Sequence, residues 1–341
     1  MTPGCFPFDY LQTRSFAIDD RFLFFDIFAR NSQLIAIGPV YPDSFIDYSK
    51  VDFNISVDGG RVCLTQPSYQ ERILAVEGCA LWFFDIPKDC LTIEITVSYL
   101  SVTRRYSIMH YSFSEKVSLA AAVLFSDDLR LLPTWLNWYI NRGVSLFFLY
   151  SLPNFLDCLS LPESPTVKIS WPFKYLWNDS GWHHAQVAQL NHMLYKFAKT
   201  SCDYVLNCDL DEYVTGNSDG DMDLIVRSKR ITGAIRIENH WAHLEDFSVP
   251  EPDAHGFPET IYCDCVGSGR RWRTKYLYNS EDVSLLGVHR VERYLSGDCD
   301  QNETMHMFHF LNWSRRGRIV PPEPVKFTLL NISCREWLAA N

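Results

Sequence analysis

Apolar and polar residues alternate from Val51 to Val57: Phe53, Ile55 and Val57 point one way, Asp52, Asn54 and Ser56 the other. Asp58-Gly59-Gly60 follows, and Val62 and Leu64 resume the alternation. Period-two patterning, broken by glycines that accept a positive φ, predicts a β-hairpin. Leu91, Ile93, Ile95, Val97 and Tyr99 repeat the pattern. Antiparallel strands with one buried face predict a small all-β, sandwich-like domain over residues 1–114. No catalytic cluster stands out there, so the expected role is structural or accessory rather than that of an independent sugar-binding module.

The pattern changes near Ser118. Leu119 to Phe125 is continuously apolar, as expected of a strand covered on both faces. Leu132, Trp135, Leu136, Tyr139 and Ile140 then recur at helical spacing, and Gly143 ends that helix. Leu146 to Tyr150 predicts a second buried strand, and Val167, Ile169 and Trp171 a third. Val187, Leu190, Leu194 and Phe197 form the inner stripe of another helix; Tyr204, Val205 and Leu206 form a strand running into Asp209. Past Gly233, Ala234 to Ile237 is strand-like. Strands alternating with helices predict an α/β domain with a parallel sheet over residues 115–341. Ligands in such sheets bind beyond the carboxyl ends of the strands, where Asp209 and Asp211 fall.

The 341 residues accommodate two domains, and a net charge of -10 makes nucleic acid an unlikely class of partner, because its binding requires cationic surface. Eleven cysteines are scattered without a compact disulfide framework. Cys263-Asp264-Cys265 has no matching pair for a metal site, so structural thiols in a reducing cytosol are expected. No apolar run is long enough to span a bilayer, so no transmembrane segment is expected. Sequons at Asn54, Asn178, Asn302, Asn312 and Asn331 would have meaning only in a secretory compartment. A cytoplasmic protein is the expectation, and a trimmed luminal domain of a Golgi-type enzyme is the alternative.

The candidate chemistry centres on Cys208-Asp209-Leu210-Asp211-Glu212-Tyr213. Two carboxylates one residue apart at a strand end can share a hard cation, Mn²⁺ or Mg²⁺, which also takes substrate phosphates. Such an ion neutralises charge on a departing diphosphate. Asp-x-Asp alone is a weak signal; its place after an apolar strand strengthens it.

From Leu119 to about Arg316 the chain resembles the GT-A-type glycosyltransferases of family 92 and related family-2-like proteins, the DUF23 group. The landmarks occur in order. Trp135, Trp138 and Tyr139 precede Gly143-Val144, and Leu149-Tyr150 follow. Then come Ala185-Gln186-Val187-Ala188-Gln189-Leu190-Asn191 and Asp209-Leu210-Asp211-Glu212-Tyr213, and last His309-Phe310 with Ser314 and Arg315. The resemblance implies a GT-A (Rossmann-like) glycosyltransferase domain, a nucleotide-diphosphate sugar donor (a UDP-sugar as the family-level guess), a divalent metal and inversion. It places Gln186 and Asn191 on the donor side and His309 near the diphosphate. The family usually carries Asn-Glu after its first strand and Glu before the helix tryptophan, where this chain has Ser126-Asp127-Asp128 and Thr134.

Other residues fill out this site. His309 and His289 are candidates for a third metal ligand, against the alternative of satisfied core histidines. Arg271, Arg273 and Lys275 share one face of an alternating segment and are candidates for holding phosphate oxygens. Glu245 and Asp246 are the candidate general bases for the acceptor hydroxyl. Trp241 is a candidate sugar-stacking residue or core, and Glu212 an orienting group behind the aspartates. The expectation is a metal-dependent transfer to a glycan or glycoconjugate. A metal-dependent phosphohydrolase or nucleotidyltransferase, or a non-catalytic carbohydrate-binding protein on a degenerate transferase, are the rivals.

Overall fold

The computed structural model describes residues 5–41, 46–61, 68–74, 77–113, 115–126, 129–157, 165–177, 182–216, 222, 231–244, 260–263, 273–300, 305–310, 313 and 328–331. The chain forms two compact units, Met1–Lys116 with Lys168–Ser201, and Val117–Val167 with Cys202–Asn341. Lys168–Ser201, which a division at 114/115 assigns to the second domain, thus belongs to the first unit.

The first unit is built on antiparallel sheets. Strands β1 (Asp26–Arg30), β2 (Gln33–Pro39) and β4 (Glu77–Asp85) lie side by side in the order β1-β2-β4. A second sheet orders β6 (Val102–Met109), β5 (Thr92–Tyr99) and β3 (Val51–Val57). Ile27, Ala36, Trp82 and Phe84 from one sheet share a core with Ile55, Ile93, Ile95 and Val97 from the other. The turn after β3 places Asp58 at φ 47° and Gly59 at φ 79°, the positive pair that a two-residue hairpin turn demands. The Asp58 carboxylate accepts the backbone N–H groups of Leu91 at 3.0 Å and Thr92 at 2.9 Å, tying the turn to β5.

The helix Ala185–His192 also belongs to this unit and continues through a π-helical turn, Met193–Ala198, to Ser201. Its residues are buried throughout, polar ones included. Asp26 on β1 supplies the reason. Its Oδ2 lies 2.8 Å from His192 Nε2 and 2.7 Å from Lys196 Nζ, and its Oδ1 accepts the N–H groups of Arg14 and Ile27. Burial pushes the Asp26 carboxyl up, but Lys196 and His192 outweigh it and bring the pKa down to about 2. Burial lowers His192 to about 4, so at neutral pH it is uncharged and its Nε2–H donates to Asp26.

The second unit carries β7 (Val117–Leu124), β8 (Leu146–Ser151) and β9 (Cys202–Asn207), with β7 parallel to both neighbours. The helix Leu132–Ile140 links β7 to β8, and Gly143 adopts φ 85° just past its end. The pattern then departs from a parallel fold. Strand β12 (Lys275–Asn279) runs antiparallel to β9, and β11 (Gly233–His243) runs antiparallel to β12. Strand β13 (Met305–Phe310) lies parallel to β11 and antiparallel to β10 (Glu212–Gly216). Trp135, Tyr139, Phe147, Leu149, Leu206, Tyr213, Phe310 and Trp313 fill the core.

The expected α/β, GT-A (Rossmann-like) class is overturned. Among the described residues the chain is mostly β, strand far outweighing helix, arranged in several sheets. Two features account for the difference. The helix Ala185–His192 has the periodicity of a crossover but is built into the first unit, where Asp26 absorbs its polar side. Beyond β9 the described strands of the sheet pair mainly antiparallel. Among the described residues, no helix is long and apolar enough to cross a membrane.

Candidate metal and catalytic site

The site grows from the turn that ends β9. Cys208 donates its N–H to Ala122, the last inter-strand contact before the chain bends. Glu212 N–H then bonds to Asp209 C=O at 3.1 Å, and the Glu212 carboxylate accepts Asp209 N–H at 2.8 Å. This reciprocal pair closes a four-residue turn. Leu210 is buried in the core and pins the turn from below. Tyr139 donates its hydroxyl to Glu212 C=O, and Trp138 donates its indole N–H to Val214 C=O, so the helix Leu132–Ile140 holds the strand that leaves the turn.

The two aspartates differ in environment. The Asp209 side chain is 41% exposed, whereas that of Asp211 is 6% exposed. Lys275 Nζ lies 3.1 Å from Asp209 and 3.0 Å from Glu212. Burial alone would lower the Lys275 pKa, but Asp209 and Glu212 raise it well above its usual value, so it stays charged. Glu212 is fully buried; its burial, opposed by Lys275 and reinforced by Asp209, raises its carboxyl to about 6.

His309 stands across from Glu212 in the β10–β13 register. Its Nε2 lies 3.5 Å from Asp211 and its Nδ1 3.6 Å from Glu212. Burial pulls the imidazole pKa down, but Asp211 and Glu212 overcome it and the net shift is upward. The Trp241 ring lies against His309 with centroids 4.6 Å apart, and Arg273 sits 5.5 Å over Trp241. Trp241 is buried, so it supports His309 as core rather than offering an open stacking face. His289 lies within the field of Lys275 and Asp209; burial, then Lys275, lowers its pKa to about 3.

The structure therefore brings together Asp209, Asp211, Glu212, Lys275, His309, His289 and Arg273. Gln186 and Asn191, expected on the donor side, lie on the buried helix of the first unit, where Asn191 donates to Val187 C=O. Arg271, Glu245 and Asp246 lie outside the described residues. Cys208, beside the turn, has its thiol pushed well up by burial, which makes it inert as a nucleophile.

Asp209 and Glu212 face the Lys275 ammonium, Asp211 faces His309, and Arg273 adds positive charge beside His309. The Nδ1 atoms of His289 and His309 are buried without a hydrogen-bond partner. The His309 Nδ1 faces Glu212, and its Nε2 faces Asp211. Asp209, Asp211 and His309 could hold a divalent cation only after their side chains move, because their ligand atoms do not all lie within 4.8 Å of one another.

Sequence reading passed over a second group of residues. Glu238, His240 and His306 converge on neighbouring strands, with His240 Nε2 3.1 Å from His306 Nδ1. They are scattered along the sequence, and only the β11–β13 register brings them together.

Comparison with known proteins adds little. No family model matches the chain, and no curated protein matches it. Among solved structures, an amylomaltase from Corynebacterium glutamicum aligns with 39% of this chain and 21% of its own, at 13% identity and a TM-score of 0.16. The chain thus spans about a fifth of that protein, and a likeness this weak carries no argument.

Proposed function

We propose that the chain is a metal-dependent glycosyltransferase that uses a nucleotide-diphosphate sugar and passes the sugar to a hydroxyl of a glycan or glycoconjugate. The observation that carries this reading is the turn Asp209–Glu212 at the carboxyl end of β9, with His309 3.5 Å from Asp211. The reading rests on that site and on the order of motifs, not on a fold class.

Asp209 and Asp211, with His309, would hold Mn²⁺ or Mg²⁺, which supplies charge neutralisation for a leaving diphosphate. Lys275 anchors Asp209 while its ammonium also neutralises Glu212. Glu212 fixes the turn through the Asp209 N–H and meets His309 from across the strands. Arg273, over Trp241, is the basic side chain assigned to donor phosphate oxygens. An acceptor hydroxyl needs a base, and Glu245 and Asp246, just beyond the strand that carries Trp241, are assigned that role. A positioned base of this kind contributes ~10²–10⁴-fold.

The test is thermal-shift or calorimetric binding of a panel of nucleotide-diphosphate sugars, each with Mn²⁺ and with EDTA, on the wild type and Asp211→Asn. Stabilisation by one donor that needs Mn²⁺ and is lost in the variant supports the reading and names the donor for an acceptor assay. Donor hydrolysis that no acceptor accelerates would instead assign a phosphohydrolase. Glycan binding indifferent to EDTA, with no donor bound, would assign a carbohydrate-binding protein.

A further inference from the structure

The geometry points to a second metal site, formed by Glu238, His240 and His306, that takes a borderline transition ion of the Zn²⁺ class. Glu238 and His240 are two residues apart on β11, so their side chains leave the same face of the sheet. His306 on β13 is the in-register partner of Glu238 and joins them on that face. Trp241 and His309 are also in register, but each is an odd number of residues from this set and occupies the opposite face. The sheet therefore separates this triad from the Asp209–Asp211 site.

The three ligand atoms all lie within 4.8 Å of one another, and the two imidazole nitrogens are 3.1 Å apart. Tetrahedral ligands on Zn–N bonds of ~2.0–2.1 Å are separated by roughly 3.3 Å, so the histidine pair needs almost no movement. The Glu238 carboxylate closes the set by a side-chain adjustment at the solvent edge, which also gives an entry path. Placement on two hydrogen-bonded strands fixes the three Cα positions in advance. Two imidazoles and one carboxylate favour Zn²⁺ or its close relatives over Mg²⁺, the reverse of the aspartate turn. Three protein ligands leave one tetrahedral position open to water or a small anion.

The test uses the full chain with Co²⁺ as a spectroscopic stand-in, then Zn²⁺ by equilibrium dialysis with metal analysis. Wild type and Asp211→Asn should both give intense visible d–d bands and retain one tightly held equivalent. His306→Gln and Glu238→Gln should lose the bands and that equivalent, while their metal-free far-UV circular dichroism matches wild type. His306 and Glu238 are nearer solvent than buried His240, so these variants keep the fold testable. Wild-type chain without tetrahedral Co²⁺ bands, or variants that retain the bands and the equivalent, would overturn the site and leave the pair as an imidazole–imidazole hydrogen bond. Loss of the bands in Asp211→Asn alone would also overturn it, placing the ion at the aspartate turn. None of these outcomes depends on donor binding, so the site stands or falls separately from the transferase reading.

Discussion

Glu212 stands opposite His309 across two antiparallel strands, its carboxylate 3.6 Å from the imidazole. The same imidazole reaches Asp211, so one histidine links the structural acid of the turn to the acid that would bind an ion. This relationship distinguishes the neighbouring carboxylates: Glu212 closes the turn, while Asp211 faces the imidazole from beside it.

Asp211→Asn keeps the shape of the side chain and removes its charge. The variant should lose the stabilisation that Mn²⁺ confers, measured against its own melt in EDTA. For an ion at 100 times its Kd, that stabilisation is about 2.7 kcal/mol, a melting shift of several degrees. Thermal melts with and without Mn²⁺ read it directly. An equal Mn²⁺ shift in both proteins would remove Asp211 from the metal set.

Lys275 is the buried cation between Asp209 and Glu212, and its loss removes the charge that holds the buried Glu212 carboxyl down. Lys275→Met should cost about 3–5 kcal/mol of stability, as breaking a buried pair does. Lys275→Met with Glu212→Gln should cost less than the two single changes added together, by about 1–3 kcal/mol of coupling. Urea denaturation of the four proteins closes the cycle. Strict additivity would mean that the two residues act independently.

Many elements were legible because period and punctuation agree: the alternation at Val51–Val57, the apolar run at Leu119, and Gly143 after a helical stripe all mark local structure. The place of Asp209 and Asp211 was legible too, because the apolar stretch Tyr204 to Leu206 runs straight into the turn that carries them. The fold class was not legible. The stripe Val187, Leu190, Leu194 and Phe197 marks one inner face of the helix, yet His192 and Lys196, off that stripe, are fully buried. Their partner, Asp26, lies 166 and 170 residues away. No local pattern contains that pairing. Glu238, His240 and His306 were missed for the same reason, because strand register rather than spacing assembles them.

Gly233 adopts φ +82°, and a Cβ there would sit 2.2 Å from the Asp298 carbonyl oxygen. Gly59 has a similar φ of +79° but open space around it. Gly59→Ala should therefore cost only the left-handed penalty, ~1–2 kcal/mol. Gly233→Ala adds a backbone collision that the parallel contact between residues 233–235 and 298–300 cannot relieve without moving. Chemical denaturation should rank Gly233→Ala as clearly the more damaging change. Equal losses would show that the Asp298 strand yields at little cost.

The Asp26–His192–Lys196 cluster makes the protein sensitive to acid well above the usual carboxylate range. His192 titrates near 6.5 when unfolded and at about 4 when folded, so between those values the unfolded chain binds the extra proton. Stability is then fully present above pH 6.5 and falls as the pH drops toward 4, by about 3 kcal/mol from this residue. Asp26 acts in the next window. Its folded pKa of about 2 lies below the unfolded value of 3.8, so its contribution is present above 3.8 and is lost as the pH falls through 2. His192→Gln keeps a donor toward Asp26 and removes the upper titration. Urea unfolding at intervals from pH 7 to pH 4 should give a steep loss for the wild type and a flatter one for the variant. Parallel curves would mean that His192 carries its proton in the folded protein and that the cluster is charged differently from the arrangement described above.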